Sequence, residues 1–483
     1  MVRVLGLASS AASACACAVV LSLAACSSPP KDPMAVLTNP RSLSEQQLGA
    51  IRGLSAGQRP ISKDAAREVR RLVFAPGIAI GTRQAAFDLL LEDDRAGLRE
   101  ALETNIVRMD SFEFRRWILD QVGARGLKDF TTVVVNSWAG SVPVWGPDER
   151  GRPEFAALAA VYGPDRVSEA LFAVLNDAHP TRQAGLRART WEILIRLDER
   201  AALRELVTKS AIRPDDAMLR DIKQLVDDLG ILPETREELL WLAKLRANAS
   251  PGYWKAAGEA LRAIPEDRKQ GFELRGVPVA LAAHKHAPEL LGKSREELFD
   301  DLMVRLRTRD ASKYSANFTG WETGPRRTEV LGLQRDEVRW IDLVACNLAL
   351  ALVDDPAVRA RLFDMGDRDQ QDRRTEYGGV IRIDDAGGWS VVEVRPRVTG
   401  SDLKFEAPQE LFDQGYTALF HFHLHAQEYE NGSYAGPHMG DFSYANSTRA
   451  NCLVMTFLRR DTMNVDFYRH GPLVIDLGTV KRP

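Results

Sequence analysis

The sequence is short of cysteine, with five in 483 residues. Cys15, Cys17 and Cys26 lie within the first 26 positions, which leaves Cys346 and Cys452 for the rest of the chain. Two thiols with no Cys-x-x-Cys pair exclude a disulfide framework and a zinc ribbon. Charge of one sign is lacking too. Lys and Arg number 64 against 67 Asp and Glu, a formal net charge of -3, so there is no electrostatic footprint for nucleic acid. Beyond the N-terminal stretch no run is long and apolar enough to span a bilayer. Hydrophobic residues are plentiful at 45%, enough for sizeable cores in a chain long enough for two or three domains.

Arg3 is the only charge before Lys31, and the stretch between them is apolar and alanine-rich. A positive start, a short apolar core and small residues before a cut describe a secretory signal. Its end, Leu23-Ala24-Ala25-Cys26, resembles the bacterial lipobox, whose cysteine receives a diacylglycerol thioether. That resemblance implies a signal peptide over 1–25, lipidation of Cys26 and a lipidated tether over 26–42. The chain would then sit at the cell envelope, on the periplasmic face of an outer membrane or at the cell surface. Several acyl chains on Cys26 satisfy the two-signal requirement for stable membrane anchoring.

Residues 43–330 carry mostly helical apolar spacing. Ala85, Phe87, Leu90, Leu91, Leu98 and Leu102 fit one helix pair. Phe114, Trp117, Ile118, Leu119, Val122, Leu127 and Phe130 fit a second, and Trp191 to Val207 a third. Short polar turns such as Glu92-Asp93-Asp94-Arg95 join the partners. The pattern resembles a degenerate array of helical hairpins of the HEAT or armadillo kind. Residues 138–153 break the spacing and read as a loop, with Trp138 and Trp145 able to touch a ligand or pack on the nearest helix. Thr308–Arg327 reads as a connection.

From 331 to 483 the style changes. A helix ending before Asp354-Asp355-Pro356 precedes runs with strand character: Gly379–Ile383, Trp389–Val394, Thr417–His425, Cys452–Leu458, Asn464–Tyr468 and Leu473–Asp476. Gly387-Gly388 supplies a hairpin turn between the first two. Helix first and strands after predicts a separate α+β domain around a mixed sheet.

Four of the eight histidines fall between 421 and 438. In Phe420-His421-Phe422-His423-Leu424-His425 the imidazoles alternate with apolar residues, so on a strand all three share one face. Imidazoles at i and i+2 on a strand can grip one metal ion, with acids downstream to complete it.

Glu376-Tyr377-Gly378-Gly379 opens the first strand, His-x-His ends a later one, and Gly436-Pro437-His438-Met439-Gly440-Asp441 opens a helix. Together they resemble the signature of the JAMM (JAB/MPN) metalloproteases over about the last 110 to 150 residues. The resemblance implies one zinc per chain held by His423, His425 and Asp441. Water takes the fourth position and Glu376 is its proton acceptor. His421 would stand behind the metal as a supporting group or an alternative ligand. His438 occupies the place of the family's carbonyl-holding serine, where it could donate to an oxyanion or bind the metal. The interval from His425 to Asp441 is also longer than usual. The function implied by the resemblance is that of an envelope-anchored zinc peptidase or isopeptidase acting on a peptide or protein, with the helices as a recognition arm. The alternative is a non-catalytic scaffold that keeps its metal for structure. A rival pattern, His421, His423 and Glu428 after Gly415, resembles half of a cupin motif, with His438 or His470 as the fourth ligand.

Overall fold

The computed structural model describes residues 30–140, 148–269, 271–310, 328–372, 374–384, 387–395, 397–398, 405–471 and 473–483. Cys26 and Trp145, and the connection over 311–327, lie outside them. The described chain is mostly helical as far as Gln371 and then carries a six-stranded mixed sheet. It divides into two compact units, one ending at Val167 and one from Ser168 to Pro483. Helices 184–307 therefore belong to the same compact unit as the sheet.

In the first unit the helix pairs form as their spacing predicts. Ile80–Asp93 and Arg95–Asn105 are joined by Asp94 alone. Lys63–Phe74 buries Ala65, Ala66, Val69, Leu72 and Val73 on one stripe, and the Ser62 hydroxyl caps it by accepting from the Ala65 amide. Trp117 lies edge-on to Phe87 and stacks on Phe114 at 5.6 Å, which fastens one hairpin to the next. The expected loop at 138–153 starts late, because the helix Thr131–Gly140 includes Trp138. That ring is fully buried, packs edge-on to Phe155 and donates to the Glu149 carboxylate at 2.6 Å. Trp138 is a packing residue.

In the second unit the strands are β1 Gly378–Ile383, β2 Trp389–Val394, β3 Phe420–His425, β4 Cys452–Arg459, β5 Thr462–Arg469 and β6 Leu473–Lys481. Their order is β2-β1-β3-β4-β5-β6, and only β3 and β4 run parallel. Parallel neighbours need a long crossover, here the segment that contains the helix Met439–Thr448. The even residues of β3 pack on the far face, where Phe420 meets Phe467. The helix Pro356–Gln371, which apolar spacing alone does not reveal, covers that face. A Cβ at its Gly366 would come within 2.6 Å of Phe457, so glycine sets the closeness of helix to sheet.

A buried polar network joins the sheet to the helices before it. Arg275 lies at the entrance to the helix Gly276–His286 and is 1% exposed. It donates to Asp342 at 2.7 Å and to the Asn451 side chain at 2.6 Å, and it pairs with Glu273. Arg469 meets the other oxygen of Asp342 at 2.9 Å, and His470 meets Glu273 at 3.0 Å. Burial alone would raise the Asp342 carboxyl, but the two guanidiniums outweigh it and hold it down at about 2.

Removing one partner of a buried ion pair leaves a charge unmatched and costs roughly 3–5 kcal/mol, against about 0–1 for an exposed pair. In urea unfolding, Asp342→Ala should therefore lower stability by about 3–5 kcal/mol. Asp301→Ala, which breaks the half-exposed Lys293 pair, should cost under about 1 kcal/mol. Equal losses in the two variants would refute this view of the network.

Candidate metal centre

Strand β3 puts His421, His423 and His425 on one face, each at most 6% exposed. A cavity of about 320 Å³ opens beside them. Its polar end is formed by Glu376, His423, His425, Gln427, His438 and Asp441. His423 Nε2 and His425 Nε2 are 3.1 Å apart. His425 Nδ1 lies 2.7 Å from the carbonyl oxygen of Tyr434. A carbonyl only accepts, so Nδ1 carries the hydrogen and Nε2 of the neutral ring presents a lone pair toward His423. Two ring nitrogens that close repel unless a proton or a cation lies between them. Fixing the far nitrogen on a backbone carbonyl is how proteins orient metal-binding imidazoles.

Both carboxylates approach the pair. Glu376, 5% exposed, precedes β1, and its placement against β3 is set by the pairing of Gly378 with His423. Gly378 is required there, since a Cβ would come within 2.4 Å of the Phe422 carbonyl oxygen. Ligand atoms of Glu376, His423 and His425 all lie within 4.8 Å of one another, so this buried group could hold a metal ion. Asp441, in the first turn of its helix, stands 3.3 Å from His423 Nε2 through one oxygen. Its other oxygen accepts from the His438 amide at 2.7 Å, which caps the helix. The donor set of two imidazoles and two carboxylates suits a borderline ion such as zinc.

Until a metal binds, the charges favour a proton on His423, whose place the metal would take. Burial would lower the His423 imidazole, but the Asp441 carboxylate beside it outweighs burial and raises it. Burial, reinforced by His423, pushes His425 down to about 3. Burial would raise Asp441, yet His423 holds it below the usual carboxylate range. The centre thus keeps His425 neutral and Asp441 ionised at neutral pH, the forms that donate to a metal.

The structure brings together Glu376, His423, His425 and Asp441. The tightest group contains Glu376, whereas Asp441 meets the pair through His423. His421 takes another part. Its Nδ1 meets the Tyr444 hydroxyl at 2.6 Å and its Nε2 meets the Gly415 carbonyl at 3.2 Å, so both nitrogens are engaged within the protein. Glu428 is exposed, and His470 is tied to Glu273. The cupin set of His421, His423 and Glu428 is not assembled. His438 lines the cavity with its ring 5.3 Å from that of His425, and its Nε2 is buried with no partner among the described residues.

Motif spacing passes over two supports. Gln427 donates to Glu376 Oε1 at 2.9 Å, and Asn431 donates in turn to the Gln427 carbonyl. Both lie in the extended interval before Asp441, together with the Tyr434 carbonyl that orients His425. The added residues are therefore part of the centre. Their one sequence signal is the pair of carboxamides; the Tyr434 contact is made by backbone and leaves no side-chain trace.

Elemental analysis of the chain purified without chelator should find about one bound metal ion, since three or four ligands on rigid elements bind zinc tightly. His423→Ala and His425→Ala should each empty the site. Asp441→Ala should weaken binding strongly, His421→Ala should weaken it less, and Glu428→Ala should leave it intact. Metal loss only on changing His421 and Glu428 would overturn the assignment of ligands.

Comparison of the chain with protein-family models, with curated proteins and with solved structures found no match.

Proposed function

We propose that the chain is an envelope-anchored, zinc-dependent hydrolase of peptide or isopeptide bonds, with a JAMM-like domain at its C-terminal end and the preceding helices as a recognition arm. One observation carries this reading. Two imidazole nitrogens 3.1 Å apart share a buried cavity with two carboxylates, one of which is positioned by an amide outside the ligand pair.

His423, His425 and Asp441 would hold the ion, and zinc bound there supplies Lewis acidity to water and to a carbonyl group. Glu376 does the proton work. Held by Gln427, its carboxylate takes a proton from the attacking water and returns it to the leaving nitrogen. The unpartnered Nε2 of His438 offers a hydrogen bond to the carbonyl oxygen as negative charge builds on it. The buried histidines and the apolar residues beside them lower the local dielectric, which strengthens each of these interactions.

The same unpartnered nitrogen supports a second reading, a scaffold whose metal is structural. As a fourth protein ligand, His438 would close the position that substrate needs. Two variants separate the readings. Glu376→Gln should keep its zinc and lose about 10²- to 10⁴-fold in hydrolysis of a peptide library. His438→Ser should raise hydrolysis if His438 closes the site and lower it if His438 is the oxyanion donor. A wild-type chain that carries zinc but cleaves nothing in the library favours the scaffold.

Envelope anchoring rests on Leu23-Ala24-Ala25-Cys26, with lipid on Cys26 as the tether. No helix among the described residues is long and apolar enough to cross a membrane. Cys26→Ser should move the chain from the membrane fraction to the soluble one; a variant that still sediments with membranes would argue for another anchor.

A further inference from the structure

The cavity extends past the ligand group, and its far end differs in character. Phe405, Leu411 and Tyr444, which pack in one apolar cluster, line that end together with His421, bonded to Tyr444. Leu411 is 1% exposed and belongs to a core cluster with Val380, Val394 and Ala418, against which Phe405 and Tyr444 pack. The Phe405 ring lies nearly parallel to His423, at 6.3 Å between centroids and 18° between planes, so the apolar wall begins at a ligand residue. Polar atoms at this end are already engaged: the Tyr444 hydroxyl is joined to His421 Nδ1, and His421 Nε2 to the Gly415 carbonyl. Tyr434, 43% exposed, also lines the cavity and adds apolar surface beside the ligand group.

We infer that this chamber is a specificity pocket, which takes a bulky apolar side chain of the substrate residue next to the bond that is cut. The inference rests on the hydrolase reading and names its substrate class. A carboxylate or carbonyl placed there would lose its water and find no donor, since the Tyr444 hydroxyl hydrogen is committed to His421 Nδ1 and the His421 Nε2 hydrogen to the Gly415 carbonyl. Such burial without compensation is strongly unfavourable. A leucine or phenylalanine side chain loses nothing by leaving water and fills the chamber. The whole cavity, at about 320 Å³, leaves room for one such side chain once the reacting group is seated against the ligands.

The test uses binding, so it does not depend on turnover. Amino-acid hydroxamates chelate zinc and project one side chain from the metal. Calorimetry on the zinc-loaded chain should rank leucine and phenylalanine hydroxamates at least about 10-fold tighter than glycine hydroxamate, with glutamate hydroxamate weakest. Phe405→Ala should narrow the ratio of phenylalanine to glycine. Phe405→Trp, which fills the chamber without opening the core, should reverse it. Equal affinities across the series would overturn the pocket and leave the metal reading standing, because every hydroxamate would still bind. A zinc-loaded chain that binds none of them overturns both, and marks the failure as one of the open metal position.

Discussion

Arg275 has a full positive charge and almost no contact with solvent, and much of the sheet-bearing unit is arranged to meet that charge. Its partners come from far apart in the sequence: Glu273 beside it, Asp342 at the start of a later helix, and Asn451 at the threshold of β4. Arg469, at the end of β5, completes the circle by sharing Asp342. Charged groups are seldom buried unless each has its opposite in place. Such a network tolerates one arrangement of helices against sheet and penalises others. It also explains why helices that precede the sheet by more than a hundred residues fold into the same compact unit.

The candidate centre inherits its geometry from that arrangement. Asn451, held through its side chain by Arg275, accepts the His421 amide on its own carbonyl and so helps to set the parallel register of β3 and β4. Register decides which face the three imidazoles occupy, because a slip of one residue would turn them all away. The long crossover between the two strands returns through the helix Met439–Thr448. It delivers the Tyr434 carbonyl to His425, the Gln427 amide to Glu376, and the first turn of a helix, with Asp441, to His423. Backbone contacts supply much of the positioning, while the side chains supply the chemistry.

Strands were legible in the sequence because short alternating or β-rich runs stand between turn residues. The Phe-His alternation named the face of β3, which starts at Phe420 rather than at the expected Thr417, and the Gly387-Gly388 turn marked the β1–β2 hairpin. The helix Pro356–Gln371 was not legible: Arg, Asp and Gln dominate it, and its buried side is little more than Val358, Leu362, Phe363 and Met365. Strand order was hidden for a different reason. Nothing local says that β1 inserts between β2 and β3, or that β3 pairs in parallel across a long excursion. Arg275, Asp342 and Glu273 were equally hidden, since by residue type each belongs on a surface. His438 stood out by position, and its unpartnered nitrogen became visible only with the fold in place.

Cys346 and Cys452 are free and fully buried, and burial raises both thiols well above their ordinary range. One follows Asp342 by a single helical turn and the other adjoins Asn451, so each thiol stands close in the chain to an acceptor of the Arg275 guanidinium. A thiol that is neither ionised nor accessible is inert toward alkylating reagents until its surroundings open. The rate at which each sulfur is labelled in the native chain is therefore a clock for local opening of its own helix or strand. Comparing the two rates tells whether the helix Trp340–Asp354 and strand β4 open together or one at a time.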